Sequence, residues 1–126
     1  MPSALRSTRI KLWSPVIAYM AMLFWLSSLS RPPRPPGVSF YAVHIAAYAG
    51  LAALTARATG KGLRDVSWRA VCAAIIISAL YGVTDEYHQL FVPGRTFEVL
   101  DMVADAFGSI VGASAVGAWS IIRRRS

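Results

Sequence analysis

Residues 81–108, YGVTDEYHQLFVPGRTFEVLDMVADAFG, decide how this chain is to be read. Five of its six acidic residues (Asp85, Glu86, Glu98, Asp101, Asp105) and one of its two histidines, His88, stand in this stretch, with strongly apolar sequence on both sides. A carboxylate in the middle of an apolar helix costs about 2.5–3.5 kcal/mol to insert in lipid, and less near the interface. Groups of that cost must turn toward protein or water, so the stretch reads as two helix ends whose polar faces meet across a turn.

The composition supports a lipid setting. A chain of 126 residues allows one domain, 1–126, and its charged fraction of 15% compares with about 25% in soluble domains. The hydrophobic fraction is 56% and the mean hydropathy +0.49. The net charge of +7 comes from short clusters between apolar runs: Arg6, Arg9 and Lys11; Arg57, Lys61, Arg64 and Arg69; Arg123, Arg124 and Arg125. Such clusters flank membrane spans and argue against nucleic acid as a partner. The single cysteine, Cys72, has no partner in the chain for a disulfide or a CxxC site and reads as a small packing residue.

Four stretches can cross a hydrocarbon core about 30 Å thick: 12–29, 40–56, 70–90 and 97–122. The fold expected is all-α, an integral membrane bundle of four transmembrane helices. The first stretch also resembles a signal peptide, but no A-x-A-like cleavage site follows it, so a retained anchor is expected. RPPRPPGVS, residues 31–39, has four prolines and reads as an extended linker. Lys and Arg on alternate sides number ten against three (Arg31, Arg34, Arg95), which places both termini and the central loop in the cytoplasm. The polar cluster then lies on the outer face of the membrane.

At 1.5 Å per residue, Asp85 lies about 8 Å and His44 about 6 Å below the outer boundary. Depth suggests an upper layer of His44, Asp85, His88 and Asp101 and a lower layer of Tyr48, Tyr81 and Asp105. Tyr81, Asp85 and His88 share one face of the third helix, with Glu86 and Gln89 about 100° round. On the fourth helix Glu98, Asp101, Asp105, Gly108 and Gly112 are spaced 3, 4, 3 and 4 and form one stripe. Gly108 and Gly112 form a GxxxG step on that stripe, so this face can approach a neighbour closely. Asp105 lies deepest among the acids and is expected to be protonated or held by a tyrosine hydroxyl or an arginine. VPGR, residues 92–95, reads as a type II turn, with Thr96 as N-cap of the fourth helix and Glu98 in its first turn. Arg95 is expected to pair with Asp101 or Glu98, or to meet an anionic ligand.

DEYHQLFVPGRTFEVLDMVADAFGSIVG resembles the defining segment of the VanZ-like membrane proteins: a D-E-x-H-Q run, a P-G-R turn, then an acidic helix with D-x-x-x-D and glycine. VHIAAYAGLAAL resembles their second hydrophobic segment, and the likeness covers about residues 40–113. It implies a small four-helix protein of the bacterial cell envelope, from a family whose namesake is associated with resistance to the glycopeptide teicoplanin. The matching positions are His44, Asp85, Glu86, His88, Gln89, Pro93, Gly94, Arg95, Asp101, Asp105 and Gly108.

Three functions suit these residues. The first is a pocket that recognises a lipid headgroup or lipid-linked cell-wall precursor, with His44, Gln89, Arg95, Tyr48 and Tyr81 as ligand-binding candidates. The second is an enzyme acting on such a lipid, with His88, Asp85, Glu86, Asp101 and Asp105 as candidates for acid–base chemistry or for a divalent metal. H-E-x-x-H, C-x-x-C and G-x-S-x-G patterns are absent from the sequence, so a resident cofactor is not expected. The third is a proton-coupled carrier relaying through Asp105, for which four helices are small unless the chain forms an oligomer.

Overall fold

The computed structural model describes residues 3–125, without the side chains of Arg124 and Arg125. The ends of the 1–126 domain, residues 1, 2 and 126, therefore lie outside the described residues, as do the side chains of two arginines of the last basic cluster. The described chain is all α-helix: α1 Ser3–Ser27, α2 Phe40–Thr59, α3 Trp68–Gln89 and α4 Val99–Arg125. α1, α3 and α4 are long and apolar enough to cross a membrane.

Helices α2 and α3 start for a local reason. Ser39 and Ser67 cap α2 and α3, their side chains accepting from the N–H groups of Ala42 and Ala70 at 3.1 Å each. The proline linker ends in a turn in which Val38 N–H donates to the Pro35 carbonyl at 3.2 Å and Gly37 takes φ +78°. VPGR forms the expected turn: Arg95 N–H donates to the Val92 carbonyl at 3.2 Å, and Gly94 takes φ +82° at the third position. Helix α4 starts two residues later than expected, so Thr96 does not cap it and Glu98 precedes its first turn. The reason is tertiary: the Glu98 N–H donates to Glu86 Oε2 on α3 at 2.9 Å, and that bond holds residue 98 before the helix begins.

The interior inverts the pattern of a soluble protein. Phe24, Trp25, Ile76, Leu80, Phe107 and Ile122 are exposed, whereas the centre holds Ala52, Ala56, Ala74 and Ala113 together with Ser78, Thr55 and Ser109. Large apolar side chains face outward, and small residues let the backbones approach, as expected where lipid is the solvent. Helix α2 touches all three others, while α1 packs on α2 and α3. The α2–α4 contact is closest at the GxxxG step: a Cβ at Gly108 would fall on the Ile45 carbonyl, and one at Gly112 on the Ala49 carbonyl. The acidic stripe and the glycines thus share the face of α4 that meets α2.

At the far end Ser120 ties the central loop to α4, its hydroxyl accepting from Val66 N–H at 2.8 Å and donating to the Arg64 carbonyl at 2.6 Å. Trp68 and Trp119 are exposed at this end, whereas Trp13 is half-buried against α2. Cys72 is exposed, contrary to its reading as a packing residue, because the inward positions of α3 fall at Ala70 and Ala74.

Candidate functional site

Antiparallel packing brings the C-terminal ends of α1 and α3 and the N-terminal ends of α2 and α4 together, with the proline linker and the VPGR turn beside them. His44, one turn into α2, meets the first two turns of α4. Its Nδ1–H donates to Asp105 Oδ1 at 2.7 Å, and its Nε2 lies 3.9 Å from Asp101 Oδ2. Asp105 is fully buried and can sit there because α3 carries glycine opposite: a Cβ at Gly82 would come 2.8 Å from its Cβ and Oδ2. The partner of Asp105 is therefore His44, and not the tyrosine or arginine expected from the sequence.

Glu86 is the second fully buried acid. Its Oε2 accepts from the Glu98 N–H, while Oε1 has no hydrogen-bond partner. Glu86, His44 and Asp101 can each bring one donor atom within 4.8 Å of the other two. Asp85 lies to one side, where Tyr48 donates its hydroxyl to Oδ2 at 3.0 Å. Oδ1 of Asp85 and Oδ2 of Asp105 are also buried without partners.

The two layers inferred from depth are redrawn by these contacts. Asp105 joins the upper group through His44, and Asp85 joins Tyr48 in the lower one. The inward face of α3 runs through Ser78, Gly82, Asp85, Glu86 and Gln89, so Glu86 enters the cluster and His88 leaves it. His88 turns to α1, stacking on Phe24 at 4.3 Å between ring centroids, with Nδ1 3.3 Å from Ser27 Oγ. Tyr81 also serves α1: its hydroxyl donates to the Met20 carbonyl at 2.6 Å. The small residues Ser78 and Gly82, eight and four positions before Glu86, were the available sequence signal for this face.

Arg95 pairs with neither Asp101 nor Glu98. Its Nη1 donates to the Leu29 carbonyl at 2.9 Å and so closes the open end of α1. Glu98 instead accepts from the Tyr41 hydroxyl at 3.2 Å.

Above the cluster opens a cavity of about 680 Å³. Arg31, Arg34 and Arg95 stand on the linker and turn side, while His44, Gln89, Glu98 and Asp101 line the helical side. A narrower, mainly apolar crevice of about 80 Å³ shares His44, Gln89, Arg95 and Phe40 with it and runs between α1 and α2 past Leu23, Val43 and Ala47. The cavity thus pairs a basic rim with an acidic, histidine-bearing floor, and it adjoins an apolar slot.

An all-helical bundle with large apolar residues outside, small residues inside and ionisable groups gathered at one end defines a small membrane protein with a polar site. Within that class the chain belongs to the VanZ/LLP1 family, whose model matches residues 12–122. The match takes in most of α1 and of α4 as well as the 40–113 region that carried the resemblance. No curated protein and no solved structure is significantly similar to the chain.

Proposed function

We propose that the protein is a four-span component of the bacterial cytoplasmic membrane whose cavity opens on the outer face and binds the phosphate-bearing headgroup of a lipid or lipid-linked cell-wall precursor. The observation that carries this reading is the cavity of about 680 Å³ with three arginines at its rim, beside an apolar crevice. Guanidinium groups suit phosphate, and an adjoining slot suits the first carbons of an acyl or prenyl chain. Helix α2, 20 residues long, is read as the fourth span, and its contact with all three other helices shields it from lipid. Placing the basic clusters inside puts both termini in the cytoplasm and the cavity outside. The association of the family's namesake with teicoplanin resistance fits a protein that meets envelope lipids at the outer face.

The test is retention of phosphatidylglycerol by the purified protein in detergent, measured by native mass spectrometry. Arg31 and Arg34 are exposed on the linker, so the double variant Arg31→Ala/Arg34→Ala removes rim charge without opening the bundle. Losing even one charge-assisted contact of about 1.5–3 kcal/mol should weaken binding at least ~10-fold. Arg95→Ala is the poorer probe, since it also releases Leu29. Unchanged retention in the double variant would remove the rim from ligand binding.

A second reading, an enzyme acting on the same lipid, draws on the His44–Asp105 pair. A buried carboxylate that accepts a hydrogen bond from Nδ1–H leaves Nε2 as a base on the cavity side. Turnover of the bound lipid on long incubation would favour this reading, and quantitative recovery of intact lipid would rule it out.

A further inference from the structure

The cavity poses an electrostatic problem. Its floor and the layer behind it hold Asp85, Glu86, Asp101 and Asp105, all at most 8% exposed, and the cation among them is His44 alone if it is protonated. Two of the three rim arginines are engaged away from the floor: Arg95 donates to the Leu29 carbonyl, and Arg34 lies over the Phe40 ring, 4.3 Å from its centroid. An acidic floor would repel the anionic headgroup that the rim attracts.

We infer that the floor is a binding site for a divalent first-row metal cation, Zn²⁺ or Mn²⁺, held by His44 Nε2, Glu86 Oε1 and Asp101, with its remaining coordination positions open to the cavity. Three donor atoms no more than 4.8 Å apart share a centre within about 2.8 Å of each, against about 2.0–2.2 Å for bound zinc, so small side-chain shifts close the site. Two of the three ligands are already oriented. Asp105 takes the Nδ1–H of His44 and so leaves the Nε2 lone pair free, the carboxylate–histidine arrangement found behind metal ligands. The Glu98 N–H fixes Oε2 of Glu86, and the partnerless, fully buried Oε1 remains as the donor. An imidazole with two carboxylates favours a first-row transition ion over Ca²⁺ or Mg²⁺, which prefer all-oxygen shells. His44 and Asp101 line the cavity and Glu86 lies behind them, so the free positions face a headgroup phosphate. This role toward the headgroup rests on the lipid-binding reading, whereas metal binding itself does not.

The test uses full-length protein purified without a polyhistidine tag, stripped with a chelator and titrated in detergent with Zn²⁺ or Mn²⁺ alone. One ion per chain should bind, raise the unfolding temperature and bind more weakly as pH falls, since protons compete for the same donors. His44→Ala, Glu86→Gln and Asp101→Asn should each weaken binding more than tenfold, and Asp105→Asn by about 10–100-fold through the orientation of His44. Glu86→Gln keeps an oxygen to accept from the Glu98 N–H and makes the floor less acidic, so the metal-free variant should be at least as stable as the parent while losing the response to metal. The site is overturned if neither ion raises the unfolding temperature of the parent, or if the rise persists in all three ligand variants. Phosphatidylglycerol retention is measured separately after chelation. Retention with no metal bound by the parent would overturn the cation and leave the headgroup reading standing. Metal binding without retention under either condition would support the cation site and sink the headgroup reading.

Discussion

His44 joins the polar end of the bundle together, because one imidazole reaches two carboxylates of α4 from α2. Beside it, Tyr48 supplies the hydrogen bond recorded for Asp85, whose other oxygen is buried without a partner. Tyr48→Phe should therefore destabilise the protein by about 1–3 kcal/mol, the cost of a buried polar group left unmade, read as a lower unfolding temperature in detergent. Combined with Asp85→Asn, the loss should be smaller than the sum of the two single losses, as for groups in direct contact. The residues of this end were legible by type and depth, but their partners were not. Successive residues on a helix differ by about 100°, so sequence spacing left two adjacent faces of α3 equally able to turn inward, one with His88 and one with Glu86. Packing chose the face that carries Ser78 and Gly82, because only small residues admit α4.

At the scale of the element, α4 is built for close approach. A Cβ at Gly112 or Gly108 would meet backbone carbonyls of α2, which cannot rotate away as a side chain can. Gly112→Ala should cost about 1–3 kcal/mol, whereas Ala115→Leu, at an exposed position of the same helix, should be nearly neutral in the same unfolding assay. The VPGR turn has its own requirement: Gly94 at φ +82° disfavours any side chain, and Gly94→Ala should cost about 1 kcal/mol or more. These features were readable beforehand, because a GxxxG step and a Pro-Gly turn depend on local chemistry. The start of α4 was not, because the bond that delays it comes from Glu86, twelve residues earlier.

For the whole molecule, the four-span reading places the proline linker and the central loop on opposite sides of the membrane. Val38→Cys and Leu63→Cys, each at an exposed position and each made in a Cys72→Ser background, should label with a membrane-impermeant thiol reagent from opposite sides in intact cells and inverted vesicles. Labelling of both from one side would sink that topology.

The sequence by itself determined the family, the helical class, the approximate positions of the helices, the turn and the end of the bundle at which the costly groups gather. The family follows from the motif pattern, and the rest from composition, period and local backbone chemistry, which act within a few turns of helix. Only the tertiary structure decided that Asp105 belongs to His44, that Glu86 replaces His88 in the cluster and that Arg95 serves the end of α1. Those pairings depend on how α1, α3 and α4 rotate about α2, and that rotation is set by small-residue packing between segments up to 66 residues apart in the chain.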